Sequence, residues 1–186
     1  ERLLEIKFDK GYARDSWVGG WMQQVLSAPV SDDPALLAAQ KLLSTWDWTS
    51  DGKGSADALA ERLIRTAMMK KWRREALPNP REALTEAVDD FRARFGRIDP
   101  PLADVQRLRR GTVDLPMVGG ADTLRATTAW DKDQEDEKLR VRHGDSYVML
   151  MQWDKDGKVT SESIQPYGSA TNRPQSPHYT DQMALF

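Results

Sequence analysis

Residues 146–153 read Ser-Tyr-Val-Met-Leu-Met-Gln-Trp. Side chains alternate between the two faces of a strand, and here both faces are apolar, with Val148 and Leu150 on one and Met149 and Met151 on the other. A strand that is apolar on both faces is typical of the centre of a sheet that is covered on each side. The stretch therefore predicts a central strand with a neighbouring strand at each edge.

The residues around this strand also have the pattern of strands joined by tight turns. Asp156-Gly157 is a common hairpin dipeptide, and it predicts that the chain returns as a strand over 159–164. Upstream, apolar and β-branched residues over 124–130 and 138–142 predict a second hairpin with a charged connecting loop. The second half of the chain is therefore predicted to consist of strands and turns.

The first half has the period of amphipathic helices. Helices are predicted over four stretches: 14–26, 33–46, 55–72 and 79–96. The last has the clearest boundaries, because Asn79-Pro80 with Glu82 forms a capping-box arrangement and Gly96 suits a helix end. The 55–72 helix is predicted to bury an apolar face that includes Trp72 and to turn its charged residues, Glu61 among them, toward solvent.

These patterns predict an α+β segment. Residues 1–110 are expected to be mainly helical, and residues 111–186 are expected to form antiparallel strands and a C-terminal loop. A two-sided apolar strand and seven tryptophans call for more covering layers than 186 residues supply. We therefore expect residues 1–186 to be a single segment of a larger domain.

Composition excludes several classes of function. Lys and Arg number 27 against 29 Asp and Glu, so the net charge of −2 leaves no basic excess for nucleic acid. No run approaches the roughly 18 consecutive apolar residues of a membrane helix, so no membrane partner is expected. The chain has no cysteine, which excludes thiolate metal sites and cysteine nucleophiles, and only His143 and His178 can supply imidazole.

Ser176, His178 and Asp181 lie within six residues and contain the side chains of a catalytic triad. Triad members usually come from separated parts of a fold, so that each approaches from its own direction. The preferred interpretation is therefore that His178 and Asp181 hydrogen-bond loop backbone and hold the chain end in place.

Two acidic stretches resemble cation sites. The run 154–157 begins like a calcium loop, but Lys158 stands where an oxygen ligand is needed and Gln165 stands where the closing glutamate is needed, so a hairpin turn is preferred. The run 131–137 could gather a cation, although a charged run between strands is usually a solvated loop. Neither stretch is assigned as a metal site.

Two further motifs have structural explanations. Gly119-Gly120 lacks the third glycine of a dinucleotide fingerprint and is interpreted as a close approach of backbones. The basic pairs Lys70-Lys71 and Arg73-Arg74 lie at a helix end, where the helix dipole favours cations. The residues by themselves therefore assign no catalytic, cofactor-binding or metal-ligating side chain.

The C-terminal segment contains a more specific pattern. Pro166-Tyr167-Gly168-Ser169 is followed by Ser176-Pro177-His178-Tyr179-Thr180-Asp181-Gln182, within a proline-rich stretch predicted to be a loop. Upstream, further motifs follow in order: Leu43 to Trp46, Asp51-Gly52, Gln106-Arg107-Leu108, Leu115-Pro116, Gly119 to Leu124 and Gly144-Asp145-Ser146-Tyr147. From about residue 36 onward the chain resembles the last third of the β chain of the penicillin acylase family, closest to the acyl-homoserine lactone and aculeacin acylases.

This resemblance implies an N-terminal-nucleophile amidohydrolase with an αββα sandwich fold and autoproteolytic processing. In that family a serine at the start of the β chain attacks a linear amide of a penicillin-like or acyl-homoserine lactone substrate, which connects the family with antibiotics and quorum quenching. Residue 1 is Glu1, so that serine is expected on another part of the enzyme, and this segment alone is expected to be inactive.

The resemblance also sets expectations for the surroundings of the segment. Its partners would be the remaining α and β polypeptides and a small N-acyl substrate, in the periplasm or outside the cell. No cofactor is expected, although a structural calcium ion is possible in the whole enzyme. A carboxylate that some family members carry on the 146–153 strand would fall near Gln152, while Tyr147 and Trp153 either pack in the core or approach the acyl pocket. The alternative function is a stand-alone, non-catalytic binding or scaffold domain.

Overall fold

The computed structural model describes residues 2–132 and 136–185. The elements follow in the order α1 (Arg2–Lys7), α2 (Trp17–Leu26), α3 (Pro34–Ser44), α4 (Asp57–Trp72), α5 (Pro80–Phe95), α6 (Leu102–Val105), β1 (Gln106–Arg110), β2 (Val113–Pro116), β3 (Thr127–Lys132), β4 (Leu139–Gly144), β5 (Val148–Trp153) and β6 (Val159–Ile164). The predicted α+β class, with helices first and strands later, is confirmed. None of the helices in these two ranges has the length and apolar character needed to cross a bilayer.

The predicted caps explain where two of the helices start and stop. The Asp33 side chain accepts backbone N–H bonds at the start of α3, and Asn79 Oδ1 accepts from the N–H groups of Arg81 and Glu82 at 2.9 and 3.2 Å. Gly96 ends α5 in the left-handed conformation at φ 69°. Helices α2 to α5 pack against one another around the buried side chains of Trp21, Leu59, Leu63 and Phe91.

Helix α2 contains two glycines, and one of them is required by a close approach of the backbone. A Cβ on Gly19 would lie 1.9 Å from the carbonyl oxygen of Arg14, so only glycine lets the chain approach the first turn so closely. Helix α4 begins at Asp57, two residues after the predicted Ser55. Its predicted faces are wrong at two positions, since Glu61 is buried and Trp72, at the end of the helix, is 60% exposed.

Four strands form one sheet in the order β2-β1-β4-β3. The predicted β3–β4 hairpin is confirmed as an antiparallel pair, β1 and β2 also pair antiparallel, and β1 runs parallel to β4. Strands β1 and β2 were not predicted from the sequence. Strand β1 begins at Gln106, inside the part that was expected to be mainly helical. Leu108, Ala129 and Val141 bury one side of this sheet in the same core as the helices.

Strands β5 and β6 form a separate two-stranded antiparallel hairpin, with Val148 opposite Ile164 and Trp153 opposite Val159. The prediction of a central strand is wrong within the described ranges, because β5 pairs with β6 alone. One of its two apolar faces also remains accessible, since Met149 is 47% and Trp153 is 61% exposed, whereas Val148 and Leu150 on the other face are half-buried. The hairpin thus presents the surface of a central strand without the layers that such a strand needs.

Candidate functional site

A cleft of about 240 Å³ opens beside the end of β4. We call it the β4 cleft. Its lining includes the apolar residues Leu108, Met117, Ala126 and Val141. It also includes the polar residues Arg142, His143, Asp145 and Ser146, and the C-terminal segment contributes Pro166 and Tyr167 as one wall. A largely apolar lining with a few polar groups is the usual composition of a small-molecule site.

The Tyr167 wall is held by an arginine from the neighbouring strand. The Arg110 guanidinium lies between the rings of Tyr167 and Tyr179, 4.5 and 4.2 Å from their centroids. Its Nη2 also donates to the carbonyl oxygen of Thr171 at 2.6 Å. Cation–π contacts on both faces of one guanidinium fix the C-terminal loop against the sheet.

Ser176, His178 and Asp181 come together, but not as a triad. The Ser176 hydroxyl accepts a hydrogen bond from the backbone N–H of His178 at 3.2 Å, and His178 Nδ1 lies 2.7 Å from Asp181 Oδ2. The carbonyl oxygen of His178 in turn accepts from the N–H of Ala170 at 3.1 Å. The two side chains therefore bond to each other and not to loop backbone as expected, and it is the backbone carbonyl of His178 that joins the loop, at Ala170.

The acidic run 154–157 is a hairpin turn, as expected. Asp154 Oδ1 accepts from the backbone N–H groups of Asp156 and Lys158, both at 2.9 Å, and Gly157 has φ 81°. In the run 131–137, residues 133–135 lie outside the described part of the chain. Asp136, at its end, forms an ion pair of 2.6 Å with Arg109. Asp154 and Asp136 are therefore engaged in hydrogen bonds and in an ion pair, respectively.

Gly119 and Gly120 mark the close approach that was predicted. A Cβ on Gly119 would lie 2.4 Å from the carbonyl oxygen of Arg125, and one on Gly120 would lie 2.0 Å from the Tyr12 hydroxyl.

The basic residues at the end of α4 have partners within the fold. Lys70 forms an ion pair with Glu75 at 2.6 Å, and the Lys71 ammonium lies 5.6 Å from the centre of the Trp17 ring.

Tyr147, Gln152 and Trp153, for which core packing or the acyl pocket was considered, lie on the hairpin or directly before it. Tyr147 is 54% exposed, so it and Trp153 are not part of the core of the described chain. Gln152 is exposed on β5, opposite Thr160. These three side chains are therefore available for contacts outside the described residues.

Two groups of polar residues were not found from the sequence. The first surrounds Asp145, whose Oδ2 lies 2.8 Å from Lys7 Nζ and 3.1 Å from Arg125 Nη1. Lys7 also donates to the carbonyl oxygen of Leu124 at 2.9 Å. The only signal was Asp145 within the Gly-Asp-Ser-Tyr motif, because its partners lie 20 and 138 residues away.

The second group surrounds Glu61, which was expected to face solvent. Its Oε1 accepts hydrogen bonds from the hydroxyls of Tyr12, at 2.7 Å, and Ser50, and its Oε2 accepts from the N–H of Ala121 at 3.4 Å. Burial raises the pKa of Glu61, and the hydroxyl donors offset part of that rise. The raised pKa of Tyr12, caused by burial and by the nearby carboxylate, keeps its hydroxyl a donor.

Asp57 is a further buried carboxylate, at the start of α4. Its Oδ2 accepts from the N–H groups of Gly52 and Gly54 at 2.9 and 3.3 Å, which closes the preceding turn. Its Oδ1 is buried without a hydrogen-bond donor. Burial therefore raises the pKa of Asp57 to about 6, and the N–H donors oppose the rise.

This raised pKa predicts a stability that falls with rising pH. The contribution of Asp57 is fully present below its ordinary pKa of 3.8 and is lost as the pH rises through about 6. Between pH 4 and pH 7, the free energy of unfolding of the original chain should therefore fall by up to about 3 kcal/mol relative to that of Asp57→Asn, which has no carboxylate to ionise. Urea unfolding at both pH values measures this difference.

Asp51→Asn is the matched control for this experiment. Asp51 lies in the same turn, but its hydrogen bond to Lys53 lowers its pKa. Its removal should therefore leave the fall in stability between pH 4 and pH 7 in place. Equal pH profiles for Asp57→Asn and the original chain would contradict the assignment.

Across residues 2–132 and 136–185, no three His, Asp or Glu side chains converge as metal ligands do, so we assign no ligand for a structural ion. The sequence profile of one family, described as penicillin amidase, matches residues 12–186. This match includes the β4 cleft, the hairpin and the whole C-terminal loop.

Proposed function

Because this chain belongs to the penicillin amidase family, we propose that it is the C-terminal portion of an acylase that hydrolyses the linear amide bond of an N-acyl substrate. The proposed substrates are penicillin-like amides or acyl-homoserine lactones, and the proposed nearest relatives are the acyl-homoserine lactone and aculeacin acylases. The family match over residues 12–186 is the observation that carries this proposal.

In the proposed reaction, the hydroxyl of an N-terminal serine attacks the amide carbonyl and forms an acyl-enzyme, which water then hydrolyses. The attack releases the amine of the substrate, and the hydrolysis releases the carboxylic acid. The serine is supplied by another part of the enzyme, so this segment alone is inactive. The proposed enzyme matures by cutting its own precursor and works in the periplasm or outside the cell.

The contribution of this segment is architectural. The residues of the C-terminal signature bond to one another and to the loop beside the sheet, as Ser176, His178 and Asp181 do. Arg110 holds that loop on the β4 cleft. The signature therefore shapes the cleft wall and supplies no nucleophile.

The exposed surface of the hairpin supports the proposal that this segment binds the remainder of the acylase. Apolar side chains with 45–61% exposure line its outer face: Tyr147, Met149, Met151, Trp153 and Val159. Exposed apolar faces and unpaired strand edges favour pairing with another chain segment. We propose that the rest of the enzyme extends this hairpin into one sheet of an αββα sandwich and covers its faces.

The experiment is to express the complete gene, purify the product as the cell makes it, and determine the mass and N-terminal sequence of every polypeptide. We expect a companion polypeptide that begins with serine. Release of a primary amine from N-acyl-homoserine lactones and from penicillin-type amides, followed with fluorescamine, should stop when that serine is replaced by alanine. A single 21.1 kDa species without amidase activity would instead indicate the stand-alone scaffold or binding domain.

A further inference from the structure

We propose that Asp145 and Gln182 are positioning residues, which fix the two ends of the β5–β6 hairpin relative to the four-stranded sheet. This inference rests on the proposed acylase function, since the hairpin is the part of the segment that we place in the sandwich. Both residues belong to the motifs that revealed the family, and neither has a role assigned by the proposed chemistry.

The body of the hairpin has little attachment of its own. Most of its side chains are exposed. Its inner-face residues Val148, Leu150 and Ile164 line, together with Phe8, an open cavity of about 150 Å³, so this side of the hairpin is incompletely packed. A two-stranded hairpin is marginally stable alone, so its orientation depends on how its two ends are held.

The first end is anchored at Asp145, between β4 and β5. The carboxylate is 13% exposed and binds two cations from different parts of the chain, Lys7 of α1 and Arg125, whose side chain is 3% exposed. The backbone N–H of Asp145 also donates to the carbonyl oxygen of Ala126 at 3.2 Å. Ion pairs that are largely removed from water have strict geometry, so they define the direction in which the chain leaves β4.

The same junction requires a glycine before the aspartate. Gly144 has φ 152°, and a Cβ at this position would lie 2.4 Å from the carbonyl oxygen of Ala126. The backbone of 144–145 is thereby pressed against Ala126, at the start of β3. Together, the two contacts fix the orientation of the start of the hairpin relative to the sheet.

The second end is anchored at Gln182, in the C-terminal signature. Gln182 Oε1 accepts a hydrogen bond of 2.7 Å from the backbone N–H of Gln165, the residue that follows β6. The N–H of Gln182 donates to the carbonyl oxygen of Tyr167 at 3.2 Å. Since Arg110 holds Tyr167 against β1, this bond ties the hairpin to the four-stranded sheet through the signature.

Asp145→Asn and Gln182→Ala, made in the complete enzyme, test the inference. Each should lower kcat for amide hydrolysis roughly ten- to hundredfold while KM changes little, because a small displacement of a supporting element misaligns reacting groups. Hydrogen exchange should become faster in 146–165 and stay the same in 106–116. Gln182→Glu keeps the accepting oxygen and should restore most of the activity.

Asp114→Asn is the matched control. Asp114 also forms ion pairs with two cations, Arg107 and Arg109, but it lies on β2 and has no hydrogen bond to the hairpin. We expect its kcat and the exchange in 146–165 to stay at the level of the original enzyme. Equal effects of Asp114→Asn and Asp145→Asn on kcat would overturn the inference, because the loss of any ion pair would then be enough to lower kcat.

Two further outcomes are informative. If Asp145→Asn prevents folding, Lys7→Met removes one partner of the same carboxylate and should give a smaller loss in the same direction. If the original enzyme hydrolyses no N-acyl amide, the proposed function fails, but the exchange measurement still tests the anchors. Unchanged exchange in 146–165 for both Asp145→Asn and Gln182→Ala would overturn the inference whatever the activity.

Discussion

Glu61→Ala should lower the free energy of unfolding by roughly 2–4 kcal/mol. The substitution removes the common acceptor of the Tyr12 and Ser50 hydroxyls and leaves both buried donors without a partner. It also opens a cavity where Gly120 and the carboxylate now meet. Urea unfolding followed by tryptophan fluorescence measures the loss, because Trp21 and Trp46 lie in the same core.

The pH dependence separates this cause from simple loss of packing. Because the pKa of Glu61 is raised above its ordinary value of 4.5, its contribution is fully present below that pH and falls as the pH rises. The destabilisation by Glu61→Ala should therefore be larger at pH 5 than at pH 8. Glu61→Gln keeps an accepting oxygen for both hydroxyls and should lose much less at pH 5. An equal loss for the two variants would mean that the hydroxyls do not depend on this acceptor.

Glu61 also shows why part of the fold was not predictable from the sequence. A glutamate one helical turn from Asp57 and from Arg65 has the pattern of a solvated face, and the pattern cannot reveal partners far away in the chain. Tyr12 and Ser50 lie 49 and 11 residues from Glu61, and their hydroxyls make its burial possible. Helix starts at Asp33 and Asn79 were predictable, because each cap is contained within three residues.

The same distinction between local and distant partners applies to the strands. The β5–β6 hairpin was predicted from an apolar strand followed by the Asp156-Gly157 turn, and the β3–β4 pair from two strand-like stretches on either side of a charged run. Strands β1 and β2 were missed because charged residues such as Arg107 and Arg109 surround one buried Leu108. Both arginines form cross-strand ion pairs with Asp114, and a hydrophobic pattern does not record such pairs.

For the site, the sequence identified the motifs but not what they contact. The signature was recognised as a whole, whereas Arg110 between two of its tyrosines has no local signal. Asp145 was visible only as part of a motif, and its partner Lys7 lies 138 residues away. Local turns such as the one at Asp154 were interpreted correctly, because both sides of each hydrogen bond lie within four residues.

Gly168→Ala should detach the C-terminal signature from the sheet, at a cost of roughly 3 kcal/mol or more. A Cβ on Gly168 would lie 2.2 Å from the carbonyl oxygen of His178 and 2.6 Å from Asp181 Oδ1. The first of these atoms belongs to the backbone and is already bonded to the N–H of Ala170, so it cannot move without breaking that bond. Limited proteolysis after 165 and faster hydrogen exchange in 166–185 would report the detachment.

Gly157→Ala is the control for a positive φ at an open position. Both glycines have positive φ, 154° at Gly168 and 81° at Gly157, but no atom lies within 4 Å of a Cβ on Gly157. The control should therefore cost only about 1 kcal/mol and leave the signature protected. If the two variants lose the same stability, a positive φ as such explains the effect at Gly168. If Gly168→Ala loses more and the signature alone becomes accessible, the backbone conformation of Gly168 and its close approach to His178 together hold the wall of the β4 cleft.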